Sequence, residues 1–556
     1  MRVSFEKRWS VPTLLLLCFF TFFIGLGRQA ITDSDEAYYA EASREMVDSG
    51  DWLTPHFNGE NRWQKPILYY WLTAATYLVT GPTEFAARLW SALSGVGLVL
   101  LAWAIARHLI GRAETAWLAG AIVATTFGYF LMARAALPDL PLTFCVTLVI
   151  GSVMRAIDRD TSPSALGWWA LAGLGTALGF LMKGPVALAL PALMLLPIMW
   201  RERRRARIDR RGIIVAAFVF ALIGLPWYIA MWRTHGNAYL HSFFLSDNFE
   251  RFATERFNDA RPWWFYLPVL LGGMLPWSLY LIVECGRGVQ VATRASRRLT
   301  DVDWRILIWA VVPLLFFTAS VGKQPRYILP VLPPLAVFLA RAIVRDLDVP
   351  AERHRATLTM ATWATAFLFA GLAFLFIRLE SVLIHINTSA TWIGVCLVGC
   401  AALGLAWVAV TRAWPRLPLV MTVAATALLL SVQFSVLAGT RPDAVEEMAA
   451  LIRAHRIANE PIGVYGVFTR NLGFYAGFTH MDLFDQAHAA AFTRSEERVL
   501  LVLRSHDLGA VEAASGMRLH VLGQIKYLNV ADFRLRTLLR PDPEEVIQPV
   551  SLVTNR

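Results

Sequence analysis

Apolar residues come in long blocks along most of this chain, and arginines gather in the gaps between them. Thirteen blocks approach or reach the length of about 17–25 residues that a helix needs to cross a bilayer. They lie near 11–29, 86–107, 115–133, 140–156, 166–182, 185–200, 213–232, 264–284, 304–321, 327–344, 357–377, 390–410 and 418–438. The run from Ile67 to Thr80 is shorter, and the basic residues decide how it reads. With Lys7 and Arg8 inside and that run uncrossed, Arg107–Arg112, Arg155–Arg159, Arg201–Arg211, Arg287–Arg298, Arg341–Arg355 and Arg412–Arg416 all fall inside, as the positive-inside rule expects. Crossing would turn every one of them outward. The run therefore reads as an interfacial or re-entrant helix, with the N-terminus inside and the C-terminus outside.

Beyond about residue 440 the pattern changes. Asp443–His455 reads as a helix, Ile462–Phe468, Val499–Leu503 and Leu519–Leu528 read as strands, and polar turns separate them. The expected fold class is an all-α polytopic membrane protein of about thirteen spans with juxtamembrane helices, followed by a small soluble α/β domain. The membrane domain is 1–439, with a first external loop at 30–85 and a long one at 233–263. The soluble domain is 440–556.

Composition narrows the class further. Of 556 residues, 56% are hydrophobic and 17% charged, more apolar side chain than a soluble protein of this size can hide. The net charge of +11 follows the loop pattern of a membrane protein, so nucleic acid is not an expected partner. Cys18, Cys145, Cys285, Cys396 and Cys400 lie in or at the end of apolar blocks and read as packing residues, with neither a disulfide framework nor a zinc cluster. Gly25-Leu26-Gly27-Arg28-Gln29 offers no small-x-small cleavage site, so the first block reads as a retained helix.

On this topology the unusual polar residues converge on the outer face. Asp33, Asp35, Glu36, His56, Arg62 and Lys65 share the first loop. Arg134 and Asp139 share the next outer turn, and Lys183 sits at the mouth of two spans. The long loop adds Asp247, Asn248, Glu250 and Arg251, and the next outer turn adds Lys323, Arg326 and Tyr327. Carboxylates at a membrane surface repel anionic lipids and are costly to bury, so a use is expected for them. Cations on the outer face run against the positive-inside trend. Lipid-linked phosphate is a natural partner, because Arg pairs bidentately with phosphate and Lys offers a compact charge. The plain alternative for any single residue is snorkelling or salt bridging at a helix end. His56, His235, His241 and Glu36 could ligate a divalent metal, but their spacing matches no tight motif. Neither a P-loop nor a Gly-x-Gly-x-x-Gly fingerprint is present, and an outer face has no nucleotide supply. An activated donor would arrive attached to lipid.

Several segments together resemble a known family. The run Asp35-Glu36-Ala37-Tyr38-Tyr39-Ala40-Glu41-Ala42-Ser43-Arg44-Glu45-Met46, with Ser49-Gly50-Asp51-Trp52-Leu53-Thr54-Pro55-His56 and Lys65-Pro66, resembles the first periplasmic loop of bacterial GT-C glycosyltransferases. The likeness is greatest to the transferases that add 4-amino-4-deoxy-L-arabinose (aminoarabinose) to lipid A. Met182-Lys183-Gly184-Pro185, Asn248-Phe249-Glu250-Arg251-Phe252 and Lys323-Gln324-Pro325-Arg326-Tyr327-Ile328-Leu329-Pro330 agree with it, whereas Asp247-Asn248 stands where relatives commonly have Glu-His.

The resemblance implies a multi-pass protein of the bacterial inner membrane, N-terminus cytoplasmic and C-terminal domain periplasmic, acting as a monomer. It implies an inverting pentosyltransferase that moves aminoarabinose from undecaprenyl phosphate to a lipid A phosphate, part of lipopolysaccharide modification and polymyxin resistance. Asp35, Glu36 and Asp139 become the expected catalytic residues. Lys65, Arg62, Lys183, Lys323, Arg326, Tyr327 and Arg134 become the expected phosphate ligands, with Asp33, His56, Glu250 and Arg251 as further candidates. The metal, if any, stays undetermined, and undecaprenyl-phosphate sugar is the expected donor. Two alternatives stay open: a GT-C enzyme moving another lipid-linked sugar such as mannose to protein or glycan, and a transporter of the lipid-linked sugar.

Overall fold

The computed structural model describes residues 10–158, 163–203, 210–254, 261–294, 299–348, 352–438, 441–457, 459–528, 540, 542 and 546–556. All thirteen apolar blocks are helical over most of their described length. Eight described helices are long and apolar enough to cross a membrane: Glu84–Ile110, Asp139–Asp158, Ala165–Lys183, Asp301–Ala319, Pro325–Asp348, Ala356–Arg378, Ser389–Thr411 and Trp414–Leu437. Two bent pairs, Ala113–Thr125 with Phe127–Ala133 and Arg210–Gly224 with Pro226–Glu250, raise the number to ten. The remaining three blocks form shorter pieces. Residues 10–23 are one short apolar helix, Val186–Glu202 has 17 residues, and 264–284 breaks into Tyr266–Gly273 and Ser278–Arg294 around Pro276. The chain is an integral membrane protein of mainly helical build.

The doubtful run is a helix of 13 residues, Leu68–Thr80. At about 1.5 Å per residue it is near 20 Å long, short of a hydrocarbon core about 30 Å thick. It packs on Asp35–Ser49, a helix that starts where Ser34 accepts from the Glu36 backbone N–H and ends at Gly50, φ +72°. Asp35 and Glu36 thus occupy a first turn, where the helix dipole favours negative charge.

The tail folds on a mixed sheet. Two short strands precede it in the chain, β1 (His56–Phe57) and β2 (Glu60–Asn61), paired antiparallel in the first loop. The sheet itself uses β3 (Ile462–Tyr465), β4 (Met481–Leu483), β5 (Leu500–Arg504), β6 (His520–Leu528) and β7 (Ile547–Thr554), in the order β4-β3-β5-β7-β6. β3 runs parallel to β4 and β5, whereas β7 runs antiparallel to β5 and β6. The helix Ala444–His455, capped by Asp443 and Glu446, buries Val445, Met448 and Ile452 against Val464, Val502 and Leu552. The expected strand 462–468 stops early: Gly466 and Phe468 adopt positive φ, +70° and +56°, and turn the chain toward the first loop.

Among the described residues, seven hydrogen bonds clip the tail onto that loop. Arg470 N–H donates to Asp33 Oδ1 (2.8 Å), Asn471 Nδ2 to the Ile31 carbonyl (2.9 Å), and Ile31 N–H to the Tyr475 hydroxyl (2.7 Å). Tyr475 and Arg441 both donate to Glu84, at 2.9 and 2.7 Å. Asn58 exchanges a pair with the His480 backbone, at 2.5 and 2.9 Å.

Candidate active site

The site begins at the first turn of Asp35–Ser49. Asp35 is 44% exposed at its side chain and accepts a hydrogen bond from Arg326, which opens the segment Pro325–Val331. Arg326 Nε also lies 3.5 Å from Asp139 Oδ2, and Asp139 Oδ1 accepts from Lys183 Nζ at 2.5 Å. Four charged groups from four elements thus alternate in one row. Lys183 Nζ stands 4.5 Å from the centre of the Tyr327 ring, a cation–π contact that steadies the ammonium.

Local sequence explains the placement. Pro138 leads into Asp139 at the start of its helix, and Lys183 is the last residue of Pro163–Lys183. Gly184 then turns at φ +78°; a Cβ there would lie 2.6 Å from Phe243. The absent side chain lets the long loop close over Lys183.

Asp139, Lys183, Arg326, Tyr327 and Lys65 line a cavity of about 340 Å³. Its other walls are largely apolar and include Leu142, Val186, Phe244, Phe252 and Phe317, with Asp247 and Asn248 from the long loop. Burial pushes the Asp35 carboxyl up, but the charge and hydrogen bond of Arg326, with the charges of Arg470 and Arg62, outweigh it and hold the pKa below the ordinary 3.8. The group is an anion at neutral pH. The row can hold a lipid-bound phosphate against two cations, and it presents a carboxylate to water at its rim.

Other expected site residues are placed differently. Glu36, next to Asp35 in sequence, is fully buried: Arg88 holds both its oxygens at 2.7 and 3.0 Å, and the Ala136 and Thr32 N–H groups donate to it. It ties the loop to Glu84–Ile110 instead of facing the cavity. Arg134 spends its donors on the Thr21 and Ile24 carbonyls, and Lys323 on the Ser320 carbonyl at 2.5 Å. All three expectations give way to structural roles: Glu36 accepts from Arg88 and two backbone N–H groups, Arg134 and Lys323 donate to backbone carbonyls, and none of the three lines the cavity. Arg62 donates to the Tyr70 hydroxyl at 3.0 Å and lies 4.0 Å from the Tyr38 ring centre, packed among tyrosines behind Asp35.

Asp33 serves the tail contact, and His56 and Glu250 are half-buried outside the cavity wall. For Arg251 only the helical backbone is described. Among the described residues no three His, Cys, Asp or Glu side chains are grouped to hold a metal ion, and His235 instead pairs with Thr54 Oγ1 at 2.7 Å. Arg88 and Arg470 carried no local signal in the sequence, since both depend on contacts made far along the chain. A second cavity, about 690 Å³, lies between the 29–34 segment and the tail, lined in part by Asp33, Asp443, Arg504 and Lys526.

Comparison with known proteins gives three results. The model of the dolichyl-phosphate-mannose-protein mannosyltransferase family matches residues 13–238. The undecaprenyl phosphate-α-4-amino-4-deoxy-L-arabinose arabinosyl transferase 1 of Pseudomonas fluorescens (strain Pf0-1) is 36% identical over 345 residues, 62% of this chain and 59% of that protein. A transferase of the same name, without the number, from Pseudomonas aeruginosa (strain UCBPP-PA14) is 35% identical over 348 residues, 62% of this chain and 61% of its own length. The matched stretch is therefore about three-fifths of the curated relatives. Among solved structures, ArnT from Cupriavidus metallidurans bound to undecaprenyl phosphate superposes with a TM-score of 0.73 at 23% identity, over 99% of this chain and 98% of that one. The oligosaccharyltransferase AglB of Archaeoglobus fulgidus gives 0.54 at 14% identity, over 93% of this chain and 70% of that one. Over the described residues the chain thus has the GT-C fold of ArnT, and its sequence likeness is to enzymes named aminoarabinose transferases, the resemblance its motifs carry.

Proposed function

We propose that this protein is an inverting membrane glycosyltransferase that moves aminoarabinose from undecaprenyl phosphate to a phosphate of lipid A. The observation that carries the reading is the Asp35–Arg326–Asp139–Lys183 row beside a largely apolar cavity. A lipid-linked sugar phosphate asks for both features: apolar walls near the lipid and cations at the phosphate. The ArnT structure that shares this fold is described as bound to undecaprenyl phosphate, which supports the same donor here. The membrane part is 1–439 and the soluble part 440–556. With the N-terminus cytoplasmic, the site and the soluble part face the periplasm, and the protein acts as a monomer.

In the step itself, an oxygen of the acceptor phosphate attacks the anomeric carbon of the sugar. The bond from that carbon to the donor phosphate breaks, and undecaprenyl phosphate leaves with the electron pair. Charge grows on the leaving phosphate, and Lys183, Arg326 and Lys65 stabilise it in place. The attacking phosphate is already ionised, so orientation matters more than deprotonation. Asp35 orients the acceptor or binds the sugar amine, and Asp139 holds both cations in position. The added amine lowers the negative charge of lipid A and with it the binding of polymyxin.

The mannosyltransferase family match favours a second reading, transfer of another lipid-linked sugar to a hydroxyl of protein or glycan, with Asp35 as general base. A transporter would set its ionisable groups near the bilayer midplane, whereas these sit at helix ends. The test is mass spectrometry of lipid A from a strain lacking its own aminoarabinose transferase, complemented with this chain. Added aminoarabinose is the expected result. Unmodified lipid A from a well-expressed protein would overturn the acceptor and favour the hydroxyl reading.

A further inference from the structure

The tail supplies one more charge to the site. Asp35 and Asp139 already balance Lys183 and Arg326, so that row is close to neutral before any substrate binds. The reaction proposed above brings two phosphates, one on each substrate. The donor phosphate has the cavity, where Lys65 adds a further cation. An acceptor phosphate approaching the exposed side of Asp35 meets a carboxylate, and it needs a cation that the carboxylates have not already taken.

Three arginine charges act on Asp35, from Arg326, Arg470 and Arg62. Arg326 is bound to Asp35, and Arg62 is packed among tyrosines with its Nε on Tyr70. Arg470 differs. Among the described residues its guanidinium has neither a hydrogen bond nor an ion pair, and its contact is the Tyr38 ring, 5.5 Å from the ring centre. Arg470 is also half-buried, and neither it nor Asp35 forms part of the wall of the donor cavity. Its position is set by its backbone, through the bond to Asp33 and the neighbouring Asn471 bond to Ile31. The side chain adds only the Tyr38 ring contact to these backbone bonds.

We propose that Arg470, carried by the C-terminal α/β part, is an anion-binding residue that receives the acceptor phosphate beside Asp35. The tail thereby completes the acceptor site. The planar guanidinium matches a phosphate with two parallel N–H donors, and the Tyr38 face keeps it extended toward Asp35. This inference rests on the phosphate-acceptor reading given above.

Two measurements on purified full-length protein in detergent test it, using wild type, Arg470→Gln and Arg470→Lys. The first is calorimetric binding of a deacylated glucosamine disaccharide bisphosphate, a soluble acceptor headgroup. The second is initial transfer rate against lipid A and, separately, against the undecaprenyl-phosphate donor. Charged hydrogen bonds to phosphate predict headgroup binding and the lipid A KM weaker by about tenfold or more in Arg470→Gln. The donor KM stays within about twofold, and Arg470→Lys recovers part of the loss. Equal headgroup binding by wild type and Arg470→Gln, or a change confined to the donor KM, overturns the role of Arg470. Wild type that binds the headgroup through Arg470 yet transfers nothing to lipid A keeps the anion site and sinks the lipid A reaction. Wild type that neither binds nor transfers sinks both.

Discussion

One helix, Asp139–Asp158, carries an aspartate at each end, and the two ends show what an ion pair can be for. The ends are about 30 Å apart at 1.5 Å per residue. At the far end Arg305 donates to both oxygens of Asp158 (2.7 Å each) and to both oxygens of Glu202 (2.8 and 2.5 Å), while His108 adds a 2.7 Å contact to Asp158. The guanidinium there is used up in strapping three helices together. At the near end Asp139 meets Lys183 and Arg326 on a cavity wall, Arg326 Nε is buried without a hydrogen bond, and Asp35 stands part-open to water. The same residue types give a strap where every guanidinium nitrogen is matched, and a cavity wall where one is not.

The sharpest break between the two ends comes from mutating each. Asp35→Asn, which keeps shape and removes charge, is expected to lower transfer by about 10²-fold or more, read by lipid A mass spectrometry at matched protein level. Arg326→Ala removes the cation between Asp35 and Asp139 and, if it faces the leaving phosphate as proposed, is expected to cost about 10²–10³-fold in rate, with little change in unfolding temperature. Arg305→Ala should reverse that profile. It leaves buried Glu202 without its partner, so thermal unfolding in detergent should show about 3–5 kcal/mol lost, with turnover per folded molecule nearly unchanged. A large drop in turnover there would erase the distinction between strap and site.

Acidity sharpens the comparison further. The Asp35 pKa is lowered in the folded protein, so its ionised form adds stability above the ordinary value, and that contribution fades as pH falls through the lowered one. Transfer should therefore be flat in Asp35 ionisation through neutral pH and fall only on the acid side. In Arg326→Gln the strongest lowering influence is gone, and the acid limb of the residual rate should move to higher pH. An unmoved limb would mean that another group governs it. The smallest effect is expected at His108→Gln, whose part-exposed pair is worth about 1 kcal/mol or less.

Much of this was legible in the chain. Apolar block length and the arginine gaps located the helices, and the outer-face reading brought Asp35, Lys65, Asp139, Lys183, Arg326 and Tyr327 together. What stayed hidden depends on rotation and on distance. Glu36 follows Asp35 by one residue, and in a helix that step turns the side chain by about 100°, here away from the cavity and onto Arg88. Arg134 and Lys323 look like free cations until the carbonyls that hold them are placed by folding. Arg470 gives no local sign at all, because its neighbours in space lie more than four hundred positions earlier.

That separation sets a timetable. The backbone bond from Arg470 to Asp33 joins residues 437 positions apart, so the acid-bearing loop is synthesised long before the segment that latches it. At the roughly 5–20 residues per second of protein synthesis, the gap is roughly 20–90 s. During that interval the loop sits at the membrane surface without the tail contacts at Asp33, Ile31 and Asn58. An unfinished chain already inserted in the bilayer therefore carries an unlatched Asp35 loop, and synthesis of the segment around Arg470 is what allows the latch to close.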